Sequence, residues 1–167
     1  MIERGRGNNM KTLENAIQLR IDGKADEAIV ILKALVAENP ENAAINYQLA
    51  WCFDVQGLEK EAVPYYEKAI AVGLPEADQI EAIIGLGSTY RTIGAYEKSK
   101  TLLQQGVKTY ENNALKVFLA MTLYNLGEYE QSVGTLLKLL AETSTDESIC
   151  QFKKAIHFYS ERLNDTW

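Results

Sequence analysis

Gly23, Gly57, Gly94 and Gly127 lie 34, 37 and 33 residues apart, and each opens a segment of the same kind: GKADEAIVIL, GLEKEAVPYY, GAYEKSKTLL and GEYEQSVGTL. A period near 34 marks paired helices repeated along the chain. One such pair cannot bury its apolar face alone, so the pairs must stack. The expectation is an all-α solenoid with almost no room for strands, and 167 residues suffice for one such stacked body.

Aligned on the glycines, the repeats span about 9–42, 43–76, 80–112 and 113–146, with a three-residue insertion, Ala77 to Gln79, before the third. In each repeat a first helix (A) ends just before the glycine and a second (B) starts just after it. The glycine supplies the left-handed backbone that closes an A helix, where a side chain would clash. In the second A helix Ile45, Leu49, Cys52 and Phe53 form one stripe, and Tyr47, Trp51 and Val55 an adjacent one. Two apolar stripes are what an A helix needs to touch both its own B helix and a neighbouring repeat. Asn42 is placed to cap the second A helix. Gly73-Leu74-Pro75 ends the second B helix, with Pro75 expected as the first residue of a longer third A helix. Pro64, one turn into a B helix, should cost a backbone bond or bend the helix start.

Residues 147–164 carry Ile149, Phe152, Ile156, Tyr159 and Leu163 at helical spacing, with Lys153, Lys154, Glu161 and Arg162 opposite. This reads as a ninth helix capping the open end of the stack. Residues 1–9 are rich in Arg, Gly and Asn and show no helical pattern, so they are expected to form a mobile leader ahead of a single domain at 10–164. Residues 3–7 back-translate into a purine-rich run of the kind that precedes a bacterial start codon, making Met10 the expected true start.

The spacing of small and large residues resembles that of the tetratricopeptide repeat family. The small residue of the A helix is Ala16, Ala50, Gly87 and Ala120, and the large one three further on is Leu19, Phe53, Tyr90 and Leu123. The small residue of the B helix is Ala28, Ala62, Ser99 and Ser132, and Pro40 closes the first repeat. The family's tryptophan position departs from pattern, holding Thr12, Asn46, Ile83 and Lys116. The wording of repeats two and three, including Tyr47-Gln48-Leu49-Ala50-Trp51 and Leu86-Gly87-Ser88-Thr89, is similar to a small bacterial subfamily of single-domain proteins. The resemblance implies a right-handed α-solenoid of four helix pairs plus a C-terminal capping helix, with the A helices lining a concave groove.

On that resemblance the groove receives Leu13, Ile17, Arg20 and Ile21 from repeat one, Glu81, Ile84, Ser88, Arg91 and Thr92 from repeat three, and an aromatic and polar set from repeats two and four. The expected peptide-binding residues are Tyr47, Gln48, Trp51, Asp54, Arg91, Met121, Tyr124 and Asn125. Trp, Tyr and Arg dominate interface energetics, which singles out Trp51, either as a groove contact or packed on the first A helix against Ile17 or Ile21. Tyr47 and Tyr124 are expected to be exposed in the groove. Asp54 and Arg91 either pair with each other or select a charged peptide group. A carboxylate clamp of the cochaperone type is not expected, because its positions hold Leu13, Ile17, Gln48, Glu81 and Gly85, and Leu, Ile and Gly cannot donate charge-assisted hydrogen bonds. An apolar groove instead favours a peptide with hydrophobic anchors.

The net charge of −6 argues against nucleic acid and anionic membrane surfaces as partners. No stretch is long and apolar enough to span a bilayer, and the start lacks the apolar core of a signal peptide, so a cytoplasmic location is expected. Cys52 and Cys150 read as separate reduced thiols. His157 is the single histidine, and there is no phosphate-binding fingerprint. Neither a metal, a cofactor nor catalysis is expected. Two readings remain: an adaptor that binds a protein or peptide in the groove, and a self-associating structural module that forms a homodimer.

Overall fold

The computed structural model describes the backbone of residues 3–167 and the side chains of residues 12–167. Among these residues there are ten helices and no strand. The chain divides into two compact units. The first, Met1–Ile93, holds α1 (Glu3–Ile21), α2 (Ala25–Glu38), α3 (Ala43–Val55), α4 (Glu59–Val72) and α5 (Glu76–Thr92). The second, Gly94–Trp167, holds α6 (Tyr96–Thr109), α7 (Asn113–Asn125), α8 (Tyr129–Thr143), α9 (Glu147–Gln151) and α10 (Lys153–Ser160). Helix α1 starts at Glu3, inside the stretch 1–9 expected to lack helical pattern. The mobility of that stretch and the identity of the start residue lie outside the described residues.

The four phasing glycines adopt φ of 77°, 70°, 80° and 79°, as the turn between A and B helices requires. At the second, the Gly57 N–H donates to the Asp54 carbonyl at 3.0 Å and the Leu58 N–H to the Phe53 carbonyl at 2.9 Å. The last carbonyls of α3 are thereby satisfied before the chain reverses into α4. At the other end of α3, the Asn42 side chain accepts from the Ile45 N–H at 3.1 Å, as expected of a cap. Pro64 is absorbed without a break, since α4 is helical throughout.

The small residues of the repeat pattern mark where helices approach: Ala16, Ala28, Ala50, Ala62, Ser99 and Ala120 are wholly buried. Where Ser replaces Ala the hydroxyl is satisfied. Ser99 Oγ lies 2.8 Å from Thr122 Oγ1, and Ser132 Oγ donates to the Ala120 carbonyl at 2.7 Å. A buried hydroxyl without such a partner would cost about 1–3 kcal/mol. Asn46, at the variable tryptophan position, is also buried, and its amide donates to the Pro40 and Asn42 carbonyls at 3.0 and 2.8 Å, tying the turn to α3.

The insertion lengthens α5 to 17 residues against 13 for α3 and α7. Pro75 is not the first helical residue but the one before it, with ψ of 147°. The inserted Gln79 reaches back to the preceding helix, accepting from the Leu74 N–H and donating to the Ile70 carbonyl. It thus satisfies backbone groups where α4 ends.

The closing segment departs from expectation. It is two helices, broken at Phe152, and regular helix stops at Ser160 rather than running to 164. Counted from the capping Asn, α3 and α7 carry Leu at the seventh position, Leu49 after Asn42 and Leu119 after Asn112. After the cap Asp146 that position is Lys153, which cannot be buried in the same way. Of the expected apolar stripe, Phe152, Tyr159 and Leu163 remain exposed.

Candidate functional site

In the first unit Tyr47, Gln48, Trp51 and Asp54 lie within two turns of α3, so they share one broad side of the helix. Trp51 is half-buried. The Arg20 guanidinium, from the last turn of α1, lies 3.6 Å from its ring centroid, and the Tyr47 ring lies 5.6 Å away. Stacking on a partly desolvated indole stabilises a guanidinium by about 0.5–2 kcal/mol. On α1 the structure identifies Arg20 as a partner of Trp51, and Ile21 is 64% exposed.

Tyr47 does not offer its ring to solvent, contrary to expectation: it is 3% exposed. Its ring packs between Trp51 and Tyr66. Its hydroxyl donates to Glu81 Oε2 at 2.9 Å. Burial, reinforced by the Glu81 carboxylate, pushes the phenol above its ordinary pKa. Tyr47 therefore positions Trp51 and Glu81 and is not itself an open contact. Gln48 is half-buried, and its Oε1 has no hydrogen-bond donor among the described residues.

Asp54 is committed elsewhere. Its two carboxylate oxygens accept from Thr89 Oγ1 at 3.0 Å and from the Tyr66 hydroxyl at 3.3 Å, joining α3, α4 and α5. Burial raises its pKa, opposed by these two hydrogen bonds. Tyr66 in turn requires Gly85: a Cβ there would lie 2.7 Å from its hydroxyl oxygen. Arg91 is half-buried in the last turn of α5.

In the second unit the expected residues are open. On α7, Met121 is 39% and Tyr124 59% exposed, and Asn125 is exposed beside them. The Tyr124 ring meets Tyr129 of α8 edge-on at 5.1 Å. Five of the eight expected residues thus form two sets, one within each unit. Tyr47 and Trp51 form one cluster together with Arg20 and Glu81. Met121, Tyr124 and Asn125 form another. Arg20 and Glu81 were in the sequence-derived lining. Tyr66 and Thr89, which hold Asp54, carried no signal in the repeat pattern because they belong to the packed sides of their helices.

Groups with reactive potential are placed unremarkably. Cys52 is fully buried, and burial pushes its thiol up to about 11. Cys150 is exposed, and both thiols are free. His157 is half-buried in α10. Among the described residues no group of three His, Cys, Asp or Glu is arranged to hold a metal, and no helix is long and apolar enough to cross a membrane.

A family model described as tetratrico peptide repeat matches residues 43–163. Superkiller protein 3 of Saccharomyces cerevisiae is 26% identical over 106 residues, covering 59% of this chain and 7% of that protein. Among solved structures the chain is similar to YrrB, a TPR protein with an unusual peptide-binding site, at a TM-score of 0.72 and 16% identity, covering 96% of this chain and 82% of YrrB. It is also similar to pilF of Pseudomonas aeruginosa, at a TM-score of 0.69 and 20% identity, covering 95% and 72%. At these identities the two structures speak for the fold alone.

Proposed function

Because the chain belongs to the tetratricopeptide repeat family, an all-α repeat fold suited to protein–protein interaction, we propose that it is a non-catalytic adaptor binding a protein or peptide on its A-helix surface. The observation that carries this reading is Trp51: a half-buried indole, stacked on one side by Arg20 and held in place by the buried Tyr47. An aromatic ring fixed by its neighbours loses little further freedom when covered, which is what makes such residues effective anchors. Met121 and Tyr124 offer open apolar area in the second unit. YrrB, a protein of similar fold, has a peptide-binding site, and a peptide ligand is proposed for this chain by that analogy alone. The free Cys52 and Cys150 support a reducing compartment such as the cytoplasm.

The test is a pulldown from a lysate of the source organism, wild type beside Trp51→Ala, with mass spectrometry of what is retained and circular dichroism of both proteins. The reading expects a protein captured by the wild type and lost by a variant of unchanged helicity. A protein retained equally by both would overturn the role of Trp51.

A further inference from the structure

Counting from the phasing glycine, the sixth, ninth and thirteenth residues of a B helix share one side of it, and in α2 and α4 that side is covered. In α2, a helix that packs against α3, these are Ile29, Leu32 and Val36; Ile29 and Leu32 are buried and Val36 is half-buried. In α4 they are Val63, Tyr66 and Ile70, and Tyr66 touches Gly85 of α5 directly. In α8 the same positions hold Val133, Leu136 and Leu140, and they are 42%, 40% and 44% exposed. Tyr129 extends the strip by one turn at 57% exposure and joins it to the exposed Tyr124.

The strip is open because α10 packs elsewhere on α8. Its C-terminal end lies over Gly134, where a Cβ would come within 2.3 Å of the Ser160 carbonyl oxygen. Glu161 pairs with Lys138 at 2.6 Å, and Asn164 donates to Glu130 at 2.9 Å. Glu130, Gly134 and Lys138 form a stripe about 120° around the helix from Val133, Leu136 and Leu140, at 3.6 residues per turn. Glu130 and Lys138 are thus engaged by the chain that follows α10, and the open strip itself carries no charge.

The other end of the repeat array is different. At the positions where α3 buries Leu49 and Cys52, α1 carries the exposed polar residues Asn15 and Gln18. Head-to-tail stacking of one copy on another would press these polar groups onto the aliphatic strip of α8. Such stacking would also generate an open filament rather than a closed assembly. A helix that matches the strip is α8 of a second copy, which brings the same uncharged aliphatic side chains and no like charges. We propose that the open strip of α8 is a docking surface for a second copy of this chain, with two α8 helices meeting across a two-fold axis. The strip shares no residue with the Trp51 cluster, so the proposal does not rest on the role given to Trp51.

The experiment is light scattering coupled to size exclusion across a dilution series of the full chain. Compared with the wild type are Leu136→Glu/Leu140→Glu, the milder Leu136→Gln, and Val30→Glu, which alters a residue of α2 that is 72% exposed. The wild type and Val30→Glu are expected at about twice the 18.7 kDa of one chain. The double variant is expected at the mass of one chain with its helical signal intact, and Leu136→Gln should dissociate at concentrations at least about tenfold higher than the wild type. A wild type that stays at one chain's mass throughout would overturn the proposal and leave the strip to a helix of another protein. A double variant that remains dimeric would overturn it equally.

Discussion

At the scale of single residues, the phasing glycines were legible because only one residue type tolerates their backbone. The use of Gly85 was not. In the sequence it is a residue unable to bind a carboxylate; in the structure it is the space that Tyr66 occupies. Ala at an unstrained helix position would stabilise by about 1 kcal/mol, whereas overpacking a core costs about 1–3 kcal/mol. The Tyr66 ring is buried and its hydroxyl is held by Asp54, so it cannot swing aside freely. Gly85→Ala is therefore expected to destabilise by about 1 kcal/mol net, measured by urea unfolding; a stabilised variant would show that Tyr66 yields.

Asp54 makes a second prediction at this scale. Its folded pKa is raised by burial above the ordinary 3.8, so its contribution to stability is fullest below that value and is lost as pH rises through the raised one. Asn at this position is isosteric. Its carbonyl can accept from Tyr66, and its amide can donate to Thr89 Oγ1, whose own proton is free to bond the Gly85 carbonyl at 2.8 Å. Relative to Asp54→Asn, the wild type should therefore lose stability as pH rises from below 3.8 through the raised pKa, as read from paired urea titrations. A difference independent of pH would contradict the assignment.

At the scale of elements, helix ends followed from local chemistry. Gly at the A-to-B turns, Asn42 as a cap and the insertion before α5 all acted as the residues themselves dictate. The closing segment was harder to read, since its apolar spacing is helical throughout. The break at Phe152 and the placement of α10 depend on what α8 offers it, which no local pattern encodes. Gly134 is the residue that permits that placement, because any Cβ would strike main chain rather than a yielding side chain. Gly134→Ala is expected to loosen α10 selectively. Hydrogen exchange should show faster amides across 153–160 with α7 and the first half of α6 unchanged, and equal protection in both proteins would mean that the approach is not tight.

At the scale of the whole molecule, the period of the sequence was enough for an all-α repeat fold, because any chain with this spacing must bury the same faces in the same order. The candidate site was less legible. Repeat position tells which helix side a residue occupies, but not whether a neighbour reaches over to cover it. Thus Tyr47 is sealed by Glu81, Tyr66 and Trp51, while Tyr124, at another of the positions expected to line the groove, is open. The central claim concerns Trp51 as a contact rather than a core residue. Its most direct test is calorimetric titration of the captured protein against wild type and Trp51→Ala, with thermal unfolding of each alone. The account predicts a loss of at least about 2 kcal/mol, roughly 30-fold in affinity, with a melting temperature close to that of the wild type. Unchanged affinity, or binding lost only together with the fold, would contradict it.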